Sequence, residues 1–386
     1  MGYAFTRDDV AYLGSAAATA ALTETGALAL TPATLLKDLE QLRRSFGDRA
    51  AALVETVRLR RRAVIKLPAA ADWLFTDDAL QQATPAAVAR HRAQRLAGRT
   101  IHDVTCSVGA ELAELAQVCP AVIGSDLDDV RLAMAAHNLE GRKVLLAKAD
   151  ALVPCSVAEV VIADPARRAD GRRTHDPAKL QPPLPDLLAA YVGRDLAVKC
   201  APGLDFDKLA WEGEVEVVSL DGGVREACLW TPGLAESGVS RRASVLSSAG
   251  DSWTITDADP DDIPERAPGE WIIDPDGAVV RAGLVRHYAA KHGLWQLDPR
   301  IAYLTGDTVP EGVRGFRILD RLDFKEKPLR AELHRRDCGP LEILTRGVDI
   351  DPDALRARIK PRGTQPYTLV ITRIGRTATV FLCATP

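Results

Sequence analysis

The heptapeptide Asp103-Val104-Thr105-Cys106-Ser107-Val108-Gly109 joins two periodicities. Upstream, Thr100 to Val104 reads as a short strand, and downstream Ala110 to Ala116 carries apolar residues at helical spacing. A strand that turns directly into a helix, through a glycine that lets the backbone approach a ligand, opens an alternating α/β chain. The alternation continues through Ala121 to Ser125, Asp129 to Asn138, Lys143 to Ala147, Glu159 to Ala163 and Asp195 to Lys199. Strands separated by short crossover helices predict a mostly parallel sheet. Glu214 to Ser219 and Arg225 to Trp230, flanking Asp221-Gly222-Gly223, predict a hairpin.

Outward from this centre, Thr31 to Arg62 carries Leu35, Leu36, Leu39, Leu42, Leu53, Val54 and Val57 at helical spacing. Pro85 to Ala97 predicts another helix, with Thr84 as its N-cap. A Ser-, Asp-, Gly- and Pro-rich stretch from about 240 to 269 marks a domain boundary. Beyond it, Trp271 to Val280 reads as strand, Asp-Pro-Asp-Gly turn and strand, followed by a helix from Leu284 to His292. Phe316 to Leu322, Leu341 to Leu344, Tyr367 to Arg373 and Thr377 to Cys383 read as strands, with helices at Pro328 to Arg336 and Pro352 to Ile359. The expected domains are helices over 1–95, a sheet domain over 96–238, and two small α/β modules over 239–315 and 316–386.

A chain of 386 residues exceeds one comfortable core. Its 47% hydrophobic and 26% charged residues are those of a globular protein. No apolar run reaches the roughly 18 to 20 residues of a spanning helix, and Arg7, Asp8 and Asp9 break the signal-peptide pattern, so a cytoplasmic location without membrane contact is expected. Seven scattered cysteines without a C-x-x-C pair predict neither a disulfide framework nor a metal site. The net charge of -4 hides an asymmetry: residues 311–386 hold 15 Lys and Arg against 10 Asp and Glu, leaving +5 there and -9 elsewhere. A polyanion would meet the tail first.

In an open parallel sheet, ligands bind beyond the carboxyl ends of the strands. Four strand ends here carry carboxylates: Asp103, Asp126 (23 residues on), Asp150 (24 further) and Asp164 (14 further). Asp126 suits the two hydroxyls of a ribose, and Asp150 suits an exocyclic adenine amine. At Asp164-Pro165, proline removes a backbone donor and leaves acceptors facing the cleft. A dinucleotide would need G-x-G-x-x-G to seat its pyrophosphate, whereas this turn holds one glycine, with Thr105 and Ser107 at the earlier positions and Glu111 in the helix that follows. A carboxylate there repels a diphosphate.

These four turns resemble the ordered motifs of class I S-adenosylmethionine-dependent methyltransferases, and Asp164-Pro165-Ala166-Arg167 resembles the corresponding turn of RNA and nucleic-acid base methylases. The resemblance implies a Rossmann-like sheet and S-adenosyl-L-methionine as cofactor. By position it places Asp103, Thr105 and Gly109 at the methionine part, Asp126 and Leu127 at the ribose, and Asp150 and Ala151 at the adenine. Gln81-Gln82-Ala83-Thr84-Pro85 resembles the segment that closes the cofactor's carboxylate end, through Gln82 and Thr84. Asp164 and Pro165 would stand beside the methyl acceptor. The C-terminal part, with Leu341-Glu342-Ile343-Leu344-Thr345-Arg346-Gly347, resembles the THUMP-like module of a group of bacterial methyltransferases, and about 269–307 resembles the ferredoxin-like insert of the same group. The fold class expected is α/β: helical N-terminal region, Rossmann-like sheet, then ferredoxin-like and THUMP-like modules.

The acceptor implied is a base in RNA, in tRNA or rRNA, unstacked into the cleft and methylated by in-line transfer. Arg167, Arg168, Arg172, Arg173 and His175 lie in a loop of about 18 residues, and such loops are functional or disordered. Arg167 and Arg168, with Arg346 of the basic tail, are the candidate RNA contacts. Three alternatives stand beside this reading. One is a non-catalytic RNA-binding factor. Another is a methylase of small molecules or proteins. The third follows from Cys200-Ala201-Pro202, which resembles the 5-methyluridine RNA methylases, in which a thiolate attacks the ring; a small half-buried strand cysteine is the favoured reading of Cys200, and Lys199 alternates to the opposite strand face.

Overall fold

The computed structural model describes residues 2–166, 168–169, 172–173, 176–206, 208–209 and 211–385, with only the backbone of 168, 169, 172 and 173. The chain divides into two compact units. The first comprises Met1–Val215, Glu226–Glu236 and Leu246–Asp251. Helices open it: α1 (Arg7–Leu13), α2 (Ala16–Gly26), α3 (Leu35–Phe46), α4 (Ala50–Ala63), α5 (Asp77–Gln82) and α6 (Ala86–Arg95). Alternation then follows, with β1 (Thr100–Asp103), α7 (Ala110–Val118), β2 (Ala121–Asp126), α8 (Asp129–Asn138), β3 (Val144–Lys148) and β4 (Val160–Ala163). A two-stranded hairpin, β5 (Arg168–Ala169) and β6 (Arg172–Arg173), precedes α9 (Leu184–Ala190) and β7 (Asp195–Cys200). The strands β8 (Glu214–Leu220) and β9 (Gly223–Trp230) flank Asp221 and Gly222, whose φ values of 51° and 74° are those of the tight hairpin turn expected there.

Within this unit the strands order as β3-β2-β1-β4-β7-β9, parallel throughout except for the last pair. The order reverses between β1 and β4, which makes the carboxyl ends of these two strands the switch point of a doubly wound sheet. Two hydrogen bonds close the gap there. Val104 N–H donates to Ile162 O at 3.0 Å, and Asp164 N–H donates to Thr105 Oγ1 at 2.7 Å.

The helices expected as a domain over 1–95 share a hydrophobic cluster with the sheet: Val10, Leu53 and Phe75 pack in the same core as Ile101, Leu112 and Val160. Asn138 stitches the two parts, exchanging hydrogen bonds with the backbone of Leu74 and donating to Val108 O. Periodicity marks an apolar helix face but not the surface that covers it.

The second unit comprises Glu216–Arg225, Ser237–Val245 and Ser252–Pro386. The stretch expected as a boundary holds two strands, β10 (Arg241–Leu246) and β11 (Ser252–Thr256). The strand-turn-strand expected from Trp271 to Val280 becomes strand and helix: β12 (Trp271–Ile273) stops, and α10 (Gly277–Ala282) begins where Asp276 accepts from Ala278 N–H. Asp and Gly serve turns and helix caps alike, which is why the spacing misleads. Then come α11 (Val285–His292), β13 (Trp295–Gln296), β14 (Leu304–Gly306), β15 (Gly315–Asp323), α12 (Glu326–Arg335), β16 (Cys338–Arg346), α13 (Pro352–Ile359), β17 (Gln365–Ile374) and β18 (Thr377–Ala384).

The strands from both expected small modules join one sheet, β13-β14-β12-β15-β18-β17-β16, with Ile272 of β12 opposite Phe316 of β15. Alternation along β17 covers both of its faces. Leu369 and Ile371 pack with Leu333 and Leu355 of the helices, while Val370 packs with Ile272 and Tyr303. No described helix is long and apolar enough to cross a membrane.

Gly109, the N-cap of α7, has φ of 87°, and a Cβ there would lie 2.8 Å from Leu139 Cδ1. Its missing side chain therefore makes room for α8 rather than for a ligand. Gly109→Ala is expected to destabilise the protein by roughly 1–3 kcal/mol, from left-handed strain plus overpacking. Urea denaturation measures the loss; an unchanged midpoint would show that the turn tolerates a side chain.

Candidate active site

A cavity of about 690 Å³ opens at the switch point, within the range of small-molecule sites of about 300–1,000 Å³. Gln82, Thr84, Asp103, Thr105, Asp126, Leu127, Asp150, Ala151 and Asp164 all line it. The strand-end positions singled out in the sequence thus meet in one place. Gly109 and Pro165 are not among the lining residues, although their neighbours Val108, Ala110, Asp164 and Ala166 are.

The turn after β1 is shaped by side chains. Asp103 Oδ1 accepts from Thr105 N–H at 3.0 Å, and Thr105 Oγ1 in turn accepts from Asp164 N–H. Ser107 adopts φ of 49° without being glycine, and its N–H donates to Asp126 Oδ2 at 3.0 Å. The other Asp126 oxygen accepts from Asp128 N–H at 2.9 Å. Each carboxylate oxygen keeps a second lone pair for a ribose hydroxyl. Asp128 itself caps α8, accepting from Val130 and Arg131 N–H. Asp150 is exposed at the rim, where Oδ1 accepts from Leu152 N–H. Leu127, 60% exposed, adds an apolar surface beside it.

Lys199 was not foreseen as a site residue. On β7 it alternates with Cys200, and Lys199 is the one that lines the cavity, while Cys200 is buried and does not. A lysine ending the apolar run Leu196-Ala197-Val198 was the only sequence signal. Its Nζ lies 2.6 Å from Asp164 Oδ2 and donates to Thr84 Oγ1. Thr84, expected to cap α6, is held by this lysine instead, and Pro85 occupies the cap position. Lys179 to Pro183 form another wall that the sequence did not announce.

Behind Lys199 lies a buried ion network. Arg92, 2% exposed, donates to Glu111 Oε1 at 2.8 Å and to Glu226 Oε1, and Glu111 Oε2 lies 3.9 Å from Lys199 Nζ. Glu111 is therefore paired, so its charge repels a diphosphate less than its position in the helix suggested. Among the residues that line the cavity, Asp103, Glu111, Asp126, Asp150 and Asp164 stand against Arg131, Lys179 and Lys199.

Burial alone would push the Lys199 ammonium down, but the carboxylates of Asp164, Glu226 and Glu111 hold it above the ordinary lysine range. Burial pushes Asp103 from 3.8 up to about 7, against the Thr105 amide and Lys199; the nearby Glu111 and Asp164 act in the same direction as burial. Burial also pushes the Cys106 thiol far up, which keeps it protonated.

Arg167 lies outside the described residues. Arg168 is described by its backbone alone, in the hairpin that follows the bridge between Ala166 and Gln181, both of which line the cavity. Arg346 belongs to the second unit, where it lies 3.1 Å from Asp274 and over the Tyr303 ring.

The switch-point cavity and its sheet define a class I methyltransferase fold. A family model described as THUMP domain-like matches residues 313–385, and one described as a domain of unknown function matches 6–63. Two curated relatives from Mycobacterium tuberculosis, strains CDC 1551 and H37Rv, are each described as an uncharacterized S-adenosylmethionine-dependent methyltransferase. Both are 58% identical over 345 residues, covering 86% of this chain and 96% of theirs. The chain belongs to this family of S-adenosylmethionine-dependent methyltransferases. A crystal structure from Porphyromonas gingivalis W83, provisionally described as a methyltransferase, matches with a TM-score of 0.76 at 19% identity, over 99% of this chain and 100% of its own. At that identity the likeness concerns the fold.

The Asp103 carboxyl gives the fold a pH dependence with a definite sign. Between about 4 and about 7 the folded state holds a proton that the unfolded chain has released, so stability falls as pH rises through that window. Thermal melting of the wild type is expected to drop relative to Asp103→Asn across this range and to run parallel to it above about pH 8. A wild-type melting temperature that rises relative to Asp103→Asn as pH rises through this range would contradict the burial of Asp103.

Proposed function

We propose that this methyltransferase binds S-adenosylmethionine in the switch-point cavity and methylates a base in RNA, in tRNA or rRNA. One juxtaposition carries the reading: the paired nucleoside-type acceptors Asp126 and Asp150 share a cavity with an Asp164 clamped by Lys199.

The residues suit the cofactor. Carboxylates in excess over cations favour a sulfonium and an ammonium. The buried Ser107 Oγ has no partner among the described residues, and α7 begins without a side-chain cap at Ala110 and Glu111, which line the cavity. Such donors fit a ligand carboxylate. Asp126 and Leu127 would stand at the ribose, and Asp150 and Ala151 at the adenine, with Gln82 and Thr84 closing the carboxylate end beside Asp103, Thr105 and Ser107. The cofactor supplies an activated methyl group. Asp164, assisted by the turn at Pro165, accepts a proton from the acceptor nitrogen and aligns its lone pair.

RNA as acceptor is supported by the THUMP domain-like match and by the basic tail, in which Arg317, Arg321, Lys325, Lys327 and Arg330 are exposed. Arg346, with its charge engaged by Asp274, offers RNA less. The hairpin whose sequence carries Arg168, Arg172 and Arg173 follows Ala166 of the cavity wall along the chain. Cys200, facing away from the cavity, lends no support to a thiolate mechanism.

Calorimetry should show S-adenosylmethionine binding by the wild type and at least about tenfold weaker binding, roughly 1.4 kcal/mol, by Asp126→Ala. Mass spectrometry of nucleosides from cells with and without the gene should then reveal one missing methylated base. Absent binding would end the cofactor assignment. Methyl incorporation into protein or small molecules alone would end the RNA assignment.

A further inference from the structure

Lys199 occupies a position where a lone ammonium would be costly. Its strand is paired on both sides, Val198 opposite Ala163 of β4 and Lys199 opposite Cys228 of β9, and its side chain is 9% exposed. Burying a charge is tolerated only with partners and hydrogen bonds that replace water. Lys199 has them from four directions: Asp164 after β4, Thr84 before α6, Glu111 on α7 and Glu226 on β9. Arg92 on α6 shares the two glutamates, and Asp103 on β1 stands near enough to feel the lysine.

The consequence falls on Asp164. Its backbone N–H is held by Thr105 Oγ1 and its Oδ2 by Lys199, while Oδ1 is not held by this clamp and the side chain is 38% exposed on the cavity side. We propose that Lys199 is a positioning residue for methyl transfer. It holds Asp164 turned so that one oxygen receives the acceptor's proton, and it ties Thr84 of the cofactor-closing segment to that turn. This rests on the methyltransferase reading of the cavity. The lysine does not touch the reacting atoms; it acts through Asp164.

In Lys199→Met kcat and kcat/KM for methyl transfer should fall together, by at least about tenfold, with partial recovery in Lys199→Arg, because the lysine aligns the group that receives the proton in the transition state and does not itself hold the RNA. Lys199→Met alone leaves one cation, Arg92, against the three carboxylates of Glu111, Glu226 and Asp164. The double variant Lys199→Met/Glu226→Gln restores the original excess of one carboxylate and serves if the single variant does not fold. A kcat unchanged by loss of the lysine, or a loss confined to KM, would overturn the proposal. A wild type that binds no S-adenosylmethionine would overturn the methyltransferase reading instead.

Discussion

Lys199, Arg92, Glu111 and Glu226 meet in the interior of the first unit and reach Asp164 at the cavity, and the order of the cavity wall depends on their contacts. Two cations against three carboxylates in a poorly hydrated interior cannot exchange partners freely, because each departure would strand a charge. Such a cluster is a weak source of stability compared with a hydrophobic core, yet it confines geometry. Here it fixes α6, the start of α7, the end of β4, β7 and β9 relative to one another. The turn at Asp164 joins it through the 2.6 Å contact with Lys199.

Around this cluster, the turn after β1 does by side-chain hydrogen bonding what glycine-rich turns do by flexibility. Thr105 links Asp103 to Asp164, and Ser107 in a left-handed conformation links the turn to Asp126. One glycine suffices because these bonds offset the conformational cost of the others. Gly109 serves packing against Leu139, so the motif's remaining glycine is structural.

The strand-end aspartates and the sheet were legible because their signal is local. A β-rich run ending in Asp and followed by helical periodicity places a carboxylate at the carboxyl edge whatever the rest of the fold does. Asp103, Asp126, Asp150 and Asp164 accordingly share the cavity. Lys199 was illegible for the opposite reason. Strand alternation says that Lys199 and Cys200 face opposite ways, but not which side carries the cavity, and residues separated by 115, 88 and 35 positions supply its partners. Glu111 likewise looked like an isolated negative charge until Arg92, distant by 19 residues, was found beside it.

The same division holds for the whole molecule. Sequence alone determined the alternation of strands and helices, the parallel sheet and the order of its acidic turns, which follow from local spacing, and through the resemblance of those turns it pointed to the family. Tertiary structure alone decided that the N-terminal helices share the core of the sheet, that β12 to β18 form one sheet, and which charges neutralise one another. Those outcomes depend on what lies across from each apolar face and each buried charge. Contacts between distant segments set them, and no local pattern records such contacts.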